Sequence, residues 1–421
     1  MSKIQDIPDQ LPPEAIAYPS TYADDQRLHD LLSRFRASDR MHRIEAPDYE
    51  PFWLVTHHAD ILAIEKDSAR FINAPRQGLL SLSQQTAMLR MANGADPAQF
   101  MRNVAGMDGQ EHKDYREITQ SYFTPKGLAG LLRDIEGLAA HYIDEMAAEG
   151  GECDFAKVAM SYPLRVIMQM LGVPPEHEPL MLRMTQQTLT SQDPDLRHAD
   201  GPAAVLFEAF GLFASIVAER RARPGDDLAS VIANARLNGE HLPDREILGY
   251  FFVVATAGHD TTSYALTGGI LALLENPDEL ERLRADPKLL PNAVEEILRW
   301  TSPIKHFCRT ATEDCELFGH SVRKGDILVL SYPSANRDET VFDEPFRFSV
   351  TRKPNRHLAF GTGPHVCLGQ FLARFELVAL LKEFISRTDR VEISGTPTRV
   401  EGTFVGGVKH LPLRYVMGSV G

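Results

Sequence analysis

The chain, 421 residues long, reads as a mainly α-helical protein with small β-sheets. Apolar residues recur at helical spacing over most of its length, and strand-like runs are few and short. No Ser/Gly-rich spacer, long charge run or internal repeat divides it. With 43% hydrophobic residues there is ample material for a large core, so residues 1–421 are read as one domain.

The elements follow in order. Helical periodicity covers Thr21 to Ser38 and Ala59 to Ile64, with a short strand, Phe52 to Val55, between them. Arg76 to Gly106 carries glycines and methionines and is expected to be a mobile loop. Helices are then predicted at His112 to Tyr122, Gly127 to Glu149, Tyr162 to Leu171, Glu178 to Leu189, Ala203 to Arg223 and Asp244 to Glu275. Pro291 marks the start of a helix that carries Glu296 and Arg299. Strand signals return at Lys305 to Thr310, Cys315 to Val322 and Asp326 to Leu330. The turn Arg323-Lys324-Gly325-Asp326 should join the last two as a hairpin. Gln370 to Phe384 is an amphipathic helix with Leu372, Phe375, Leu377, Leu380 and Phe384 on its apolar face.

Composition removes several function classes. A net charge of −14 argues against a nucleic-acid partner, which needs clustered cations. The four cysteines, Cys153, Cys308, Cys315 and Cys367, form no Cys-x-x-Cys pair. That argues against a structural zinc site, an iron–sulfur cluster or a disulfide framework, and fits a reducing cytosol. The polar, proline-containing start, Met1 to Tyr22, is neither a signal peptide nor an anchor, and the apolar run Ile247 to Ala257 is too short to span a bilayer. A soluble, cytoplasmic protein with no membrane partner is expected.

The chemistry concentrates in Phe360-Gly361-Thr362-Gly363-Pro364-His365-Val366-Cys367-Leu368-Gly369, immediately before the last helix. Glycine and proline allow a tight turn and a close approach to a flat ligand. A cysteine just ahead of a helix is placed where amide groups and the helix dipole favour a thiolate. Such a thiolate suits the axial position of a haem iron. The second unusual stretch is Ala257-Gly258-His259-Asp260-Thr261-Thr262-Ser263. These are poor mid-helix residues within an apolar helix, and they predict a functional distortion. Thr and Ser hydroxyls can bond back to a preceding carbonyl there.

The cysteine loop resembles the haem-binding signature of the cytochrome P450 superfamily, the haem-thiolate monooxygenases, and the resemblance extends over nearly the whole chain. It implies the triangular-prism fold of that family, haem b as cofactor, O2 as co-substrate, and Cys367 as the proximal iron ligand. Asp260 and Thr261 match the family's acid–alcohol pair beside the oxygen pocket, where a carboxylate relays protons and an alcohol positions their donor. His259 is given no part in this and is read as facing solvent. Glu296 and Arg299, an i,i+3 pair, match the glutamate–arginine brace of the cysteine loop, with Arg352 as the second arginine. His112, Arg116, Arg309 and His365 are assigned to the haem propionates, with His357 as a further candidate. Val253, Thr256, Phe404 and Val405 correspond to substrate-lining positions.

Among bacterial soluble members, Gly151-Glu152-Cys153-Asp154-Phe155, Ser331-Tyr332-Pro333-Ser334-Ala335-Asn336-Arg337-Asp338-Glu339 and Phe404-Val405-Gly406-Gly407 look most like the α-terpineol-oxidising group. This implies a monoterpenoid or alkylbenzene substrate and a monomeric enzyme. Electrons would come from a separate [2Fe–2S] ferredoxin fed by an NAD(P)H reductase, docking on a basic patch of Lys113, Arg116, Lys126 and Arg374. A non-catalytic haem-thiolate ligand or gas sensor, and a peroxide-using peroxygenase, are the alternatives. The intact Asp260–Thr261 pair favours the monooxygenase over both.

Overall fold

The computed structural model describes residues 10–91, 102–197 and 201–418. Helices dominate and the strands gather into small sheets, as the sequence predicts. The largest sheet has five strands in the order Met41–Ile44, Phe52–Val55, Ile327–Ser331, His306–Ala311, Phe71–Ile72. Ile327–Ser331 lies parallel to Phe52–Val55 and antiparallel to His306–Ala311. All its residues are buried, so it reads as a continuous apolar run rather than an alternating one.

The helical part is organised around Asp260–Glu275, which packs against Phe155–Met170, Leu290–Thr301 and Gln370–Arg387. Glycine makes the second of these contacts possible. A Cβ on Gly268 would lie 2.6 Å from Thr301 Cγ2, and one on Gly269 would lie 2.8 Å from Ile297 Cγ2. Gln370–Arg387 in turn packs on Leu132–Ala148, and a shared apolar core runs through these helices.

Departures from the sequence reading have local causes. The predicted hairpin is replaced by a smaller one: Cys315–Leu317 pairs with His320–Val322 around Phe318 and Gly319, at φ 53° and 88°. Ile327–Ser331 leaves the Arg323–Asp326 turn to pair within the five-stranded sheet instead. Of the expected loop from Arg76 to Gly106, Leu82–Met91 is a helix and Leu79 is buried core; residues 92–101 lie outside the described residues. A capping box starts that helix: the Ser81 N–H donates to Gln84 Oε1 at 2.9 Å and the Gln84 N–H to Ser81 Oγ at 3.2 Å. The helix expected from Tyr162 begins at Phe155, capped by Asp154, and continues through Pro163. Gly127 to Glu149 is divided into Pro125–Leu128 and Leu132–Ala148. Asp244 to Glu275 is likewise two helices, Asp244–Ala257 and Asp260–Glu275, broken at Gly258-His259.

Candidate active site

The cysteine loop is shaped by its own backbone. The Cys367 N–H donates to the Phe360 carbonyl at 2.9 Å, and the Gly361 N–H to the Leu358 carbonyl at 2.9 Å. Gly361 and Gly363 have φ of 64° and 68°; a Cβ at Gly363 would lie 2.5 Å from the Glu65 carbonyl oxygen. Cys367 lines a cavity of about 310 Å³, just ahead of helix Gln370–Arg387. Burial pushes its thiol up, against the Gly369 N–H and the guanidinium groups of Arg116 and Arg374, which favour the thiolate. A cation bound to the sulfur would favour the thiolate further.

Behind the loop, Glu296 and Arg299 are fully buried and paired bidentately, with both N–O distances 2.8 Å. Arg352 Nε donates to both Glu296 oxygens at 3.1 Å, and Asn355 and the Ser349 N–H complete the carboxylate's shell. Arg299 also donates to the carbonyls of Asn336 and Pro345. One helix is thereby bound to the chain between residues 336 and 355, which leads into the cysteine loop.

The opposite side of the cavity is the helix break. The break strands carbonyls, and the following hydroxyl run takes them up. Thr261 donates to Ala257 O at 3.0 Å, Thr262 to Gly258 O at 3.5 Å and Ser263 to His259 O at 3.0 Å. Gly258 allows close packing rather than a special φ: a Cβ there would lie 2.4 Å from Ile167 Cδ1. Thr261 lines the cavity; Asp260 does not, and is fully buried behind it. Its Oδ1 lies 2.9 Å from His259 Nδ1, and neither carboxylate oxygen has a hydrogen-bond partner among the described residues. His259 is not solvent-facing, as the sequence reading had it. It is fully buried, its Nε2 donates to the Met160 carbonyl at 2.9 Å, and Nδ1 also meets Thr185 Oγ1 at 3.1 Å.

The side walls combine apolar and cationic groups. Val253, Thr256, Phe404 and Val405 all line the cavity, as do His112, Arg116, Arg309 and His365. The His112 and His365 rings lie 4.0 Å apart, and His365 is 3.5 Å from Asp108. Burial, with His365 and Arg116 nearby, pulls His112 down to about 4. Arg116 donates to the Val366 carbonyl at 2.8 Å, and among the described residues no carboxylate pairs with it. This is an electropositive corner short of negative charge, and it fits an acidic group of a cofactor. Arg309 differs, since its guanidinium already meets Glu65 at 2.9 Å, with Tyr332 donating to the same carboxylate oxygen. His357 is outside the cavity, 3.1 Å from Glu295.

The expected basic patch is reduced in the same way. Lys113 and Lys126 are exposed, Arg116 turns inward, and Arg374 is held by Glu295 at 2.6 and 3.0 Å over the Phe360 ring.

Two acidic residues of the cavity wall escaped the sequence reading. Glu65 is buried on a short helix with one oxygen unpaired. Glu376 is fully buried beside Thr262, and burial raises its carboxyl far above the usual range. On the apolar face of its helix Leu372, Leu377, Leu380 and Phe384 are buried as expected, whereas Phe375 is exposed at 37% and Glu376 faces inward instead.

Comparison with known proteins gives one consistent result. Residues 179–397 match the family model for cytochrome P450. The chain is similar to cytochrome P450-terp of a Pseudomonas species, 38% identical, covering 96% of this chain and 98% of that protein. It is also similar to linalool 8-monooxygenase of Pseudomonas putida, 31% identical over 91% of this chain and 94% of that one. Among solved structures, CYP108D1 of Novosphingobium aromaticivorans superposes with a TM-score of 0.90 at 42% identity, covering 97% of this chain and 100% of that one.

Proposed function

Because the chain belongs to the cytochrome P450 family of monooxygenases, and shares its fold, we propose that it inserts one oxygen atom into a small apolar substrate, a monoterpenoid or an alkylbenzene. The balance is RH + O2 + 2 electrons + 2 protons giving ROH and water. The electrons come from a [2Fe–2S] ferredoxin and its NAD(P)H reductase, and residues 1–421 act as one catalytic domain, as a monomer in the cytoplasm. Haem b would be held by Cys367, with His112, Arg116, His365 and, beside its pair with Glu65, Arg309 toward its propionates, and when bound would supply the iron that activates O2.

The observation that carries this reading is one cavity with a cysteine sulfur on one wall, a hydroxyl at a helix break on another, and apolar side chains between them. Val253, Phe404 and Val405 exclude water and orient an apolar molecule. Thr256 adds little polarity, since its hydroxyl donates to Phe252 O at 2.9 Å. Thr261 Oγ1, its hydrogen engaged by Ala257 O, presents lone pairs to the cavity and holds a proton donor there. Asp260 and His259, buried together, supply the protons from behind.

The test is an optical titration of the haem-loaded protein with monoterpenes and alkylbenzenes, followed by product analysis with a competent ferredoxin and reductase. A ligand-induced change in haem absorbance and a mono-oxygenated product are expected. Ligand binding with no oxygenated product from any of them would replace the enzyme by a sensor.

A further inference from the structure

Phe404 and Val405 sit at the tip of a hairpin, and the tip is held from outside the cavity. The arms are Thr398–Arg399 and Val408–His410. On the inner side the fastening is backbone: the Lys305 N–H donates to Phe404 O at 2.8 Å, and the Gly406 N–H to Pro303 O at 3.0 Å. On the outer side it is a segment of side chains that follows helix Glu178–Leu189. Gln192 Oε1 accepts from the Thr403 N–H at 2.8 Å and from its hydroxyl at 3.2 Å. Asp193 is fully buried and accepts from the Glu401 N–H at 2.9 Å and from Lys409 Nζ at 2.8 and 2.9 Å.

One carboxylate therefore ties Glu401, just beyond the first arm, and Lys409 of the second arm to the segment after that helix, the latter across a sequence separation of 216 residues. Lys409 is buried with it, its side chain 8% exposed, and reaches a second carboxylate, Asp195, at 2.7 Å. Beneath the clamp, Tyr264, Val400 and Val405 form a small apolar cluster of their own with Met160, Leu189, Leu196, Ile304 and Phe404 packed on it. None of Gln192, Asp193 and Lys409 lines the cavity.

We propose that Asp193 and Lys409, assisted by Gln192, are positioning residues that set substrate specificity by fixing the Phe404–Val405 wall from behind. The inference rests on the reading of that wall as part of the substrate site. A buried pair that only stabilised the fold could lie anywhere; this one joins the two sides of the tip that presents the wall. Loss of the pair frees the tip on one side only, because the backbone bonds to Pro303 and Lys305 remain. Thr261 and Cys367 are untouched.

The experiment uses the full-length haem-loaded protein. Removing one partner strands a buried charge and endangers folding, so the main variant is Asp193→Asn with Lys409→Met, and Lys409→Arg is the conservative control. Hydrogen exchange of residues 400–409 is measured without substrate, and dissociation of p-cymene by stopped-flow displacement. Exchange in the double variant should rise about tenfold, p-cymene release should accelerate about fivefold, and the ratio of oxygenated p-cymene isomers should change. Lys409→Arg should stay near the parent in all three. Unchanged exchange in a folded double variant would overturn the clamp. Faster exchange with unchanged p-cymene release and isomer ratio would leave a structural tie and overturn its role in specificity. If p-cymene fails to bind the parent, the substrate reading fails, while the exchange arm still decides the clamp.

Discussion

The two faces of the cavity handle buried polar groups in opposite ways. On the sulfur side the carboxylates of the brace are answered: Glu296 receives two arginines, an asparagine and a backbone N–H, and Glu295 receives Arg374 and His357. On the oxygen side Asp260 has only His259 beside it, and neither of its oxygens is hydrogen-bonded among the described residues. Full satisfaction makes a rigid mount, since any displacement leaves a charge unpaired. Incomplete satisfaction leaves groups able to exchange protons. In the proposed function one face holds geometry and the other holds protons.

Mutations can break that comparison. The largest effect is expected for Cys367→Ala, which should abolish the red-shifted absorption band of the reduced carbon monoxide complex. Retention of the band would transfer the ligand role to another cysteine. Arg299→Ala should cost about 3–5 kcal/mol by stranding Glu296 and yield little haem-loaded protein. A stable, fully loaded variant would show that the sulfur side needs no brace.

On the oxygen side the effects should be kinetic. Asp260→Asn should slow turnover about a hundredfold by interrupting proton supply, with folding retained. Thr261→Ala should keep consuming NAD(P)H while product per reductant falls about tenfold and hydrogen peroxide appears. Product, peroxide and reductant measured together separate the two, and unchanged coupling in Thr261→Ala would remove the hydroxyl from the proton path.

Acid sharpens the comparison. His306, beside the cavity, is pulled down from 6.5 to about 4 by burial, and its Nε2 accepts from the Leu79 N–H at 2.9 Å. The unfolded chain binds this proton first, so the stability it contributes is present above pH 6.5 and falls as pH drops toward 4. At pH 5 the loss should be about 2 kcal/mol. Glu295 works in a lower window, its carboxyl held at about 2 against burial by His357 and Arg374 instead of 4.5. His306→Gln should therefore flatten the denaturant midpoint between pH 7.5 and 5, and an unchanged slope would place the loss elsewhere. The smallest effect belongs to Lys113→Glu. Ferredoxin-supported turnover should fall about threefold at low salt, less at high salt, with substrate binding unchanged. Equal turnover at low salt would remove Lys113 from the docking face.

What was legible in the sequence is what is encoded locally. The glycine spacing before Cys367, the i,i+3 pair Glu296–Arg299 and the polar run after Ala257 each carry their geometry within a few residues, and a distortion, though not the division into two helices, followed from the last of these. Arg352 was found because its offset from Cys367 is short. His259, Glu65 and Glu376 were missed because burial of a charged residue depends on the opposing elements. Glu376 sits beside Phe375, the one residue of the expected apolar face that turns out to be exposed. The partner of Asp193 lies too far along the chain for any local pattern to indicate it. Strand partners failed for the same reason, whereas the Ser81–Gln84 capping box was a local signal that went unread.

Gly258 and Ile167 matter for anyone reshaping the pocket. The isoleucine's terminal methyl occupies the space that a side chain at 258 would need, and both residues line the cavity. A library that varies position 258 alone will return mostly glycine. Trimming Ile167 to valine alone will leave a void costing about 1 kcal/mol. Varied as a couple, Ile167→Val with Gly258→Ala removes the 2.4 Å clash across the rear wall and leaves a tight 3.0 Å contact at the Cγ1 position. The cavity can then be recontoured there without new volume, with the stranded Ala257 carbonyl still within reach of Thr261.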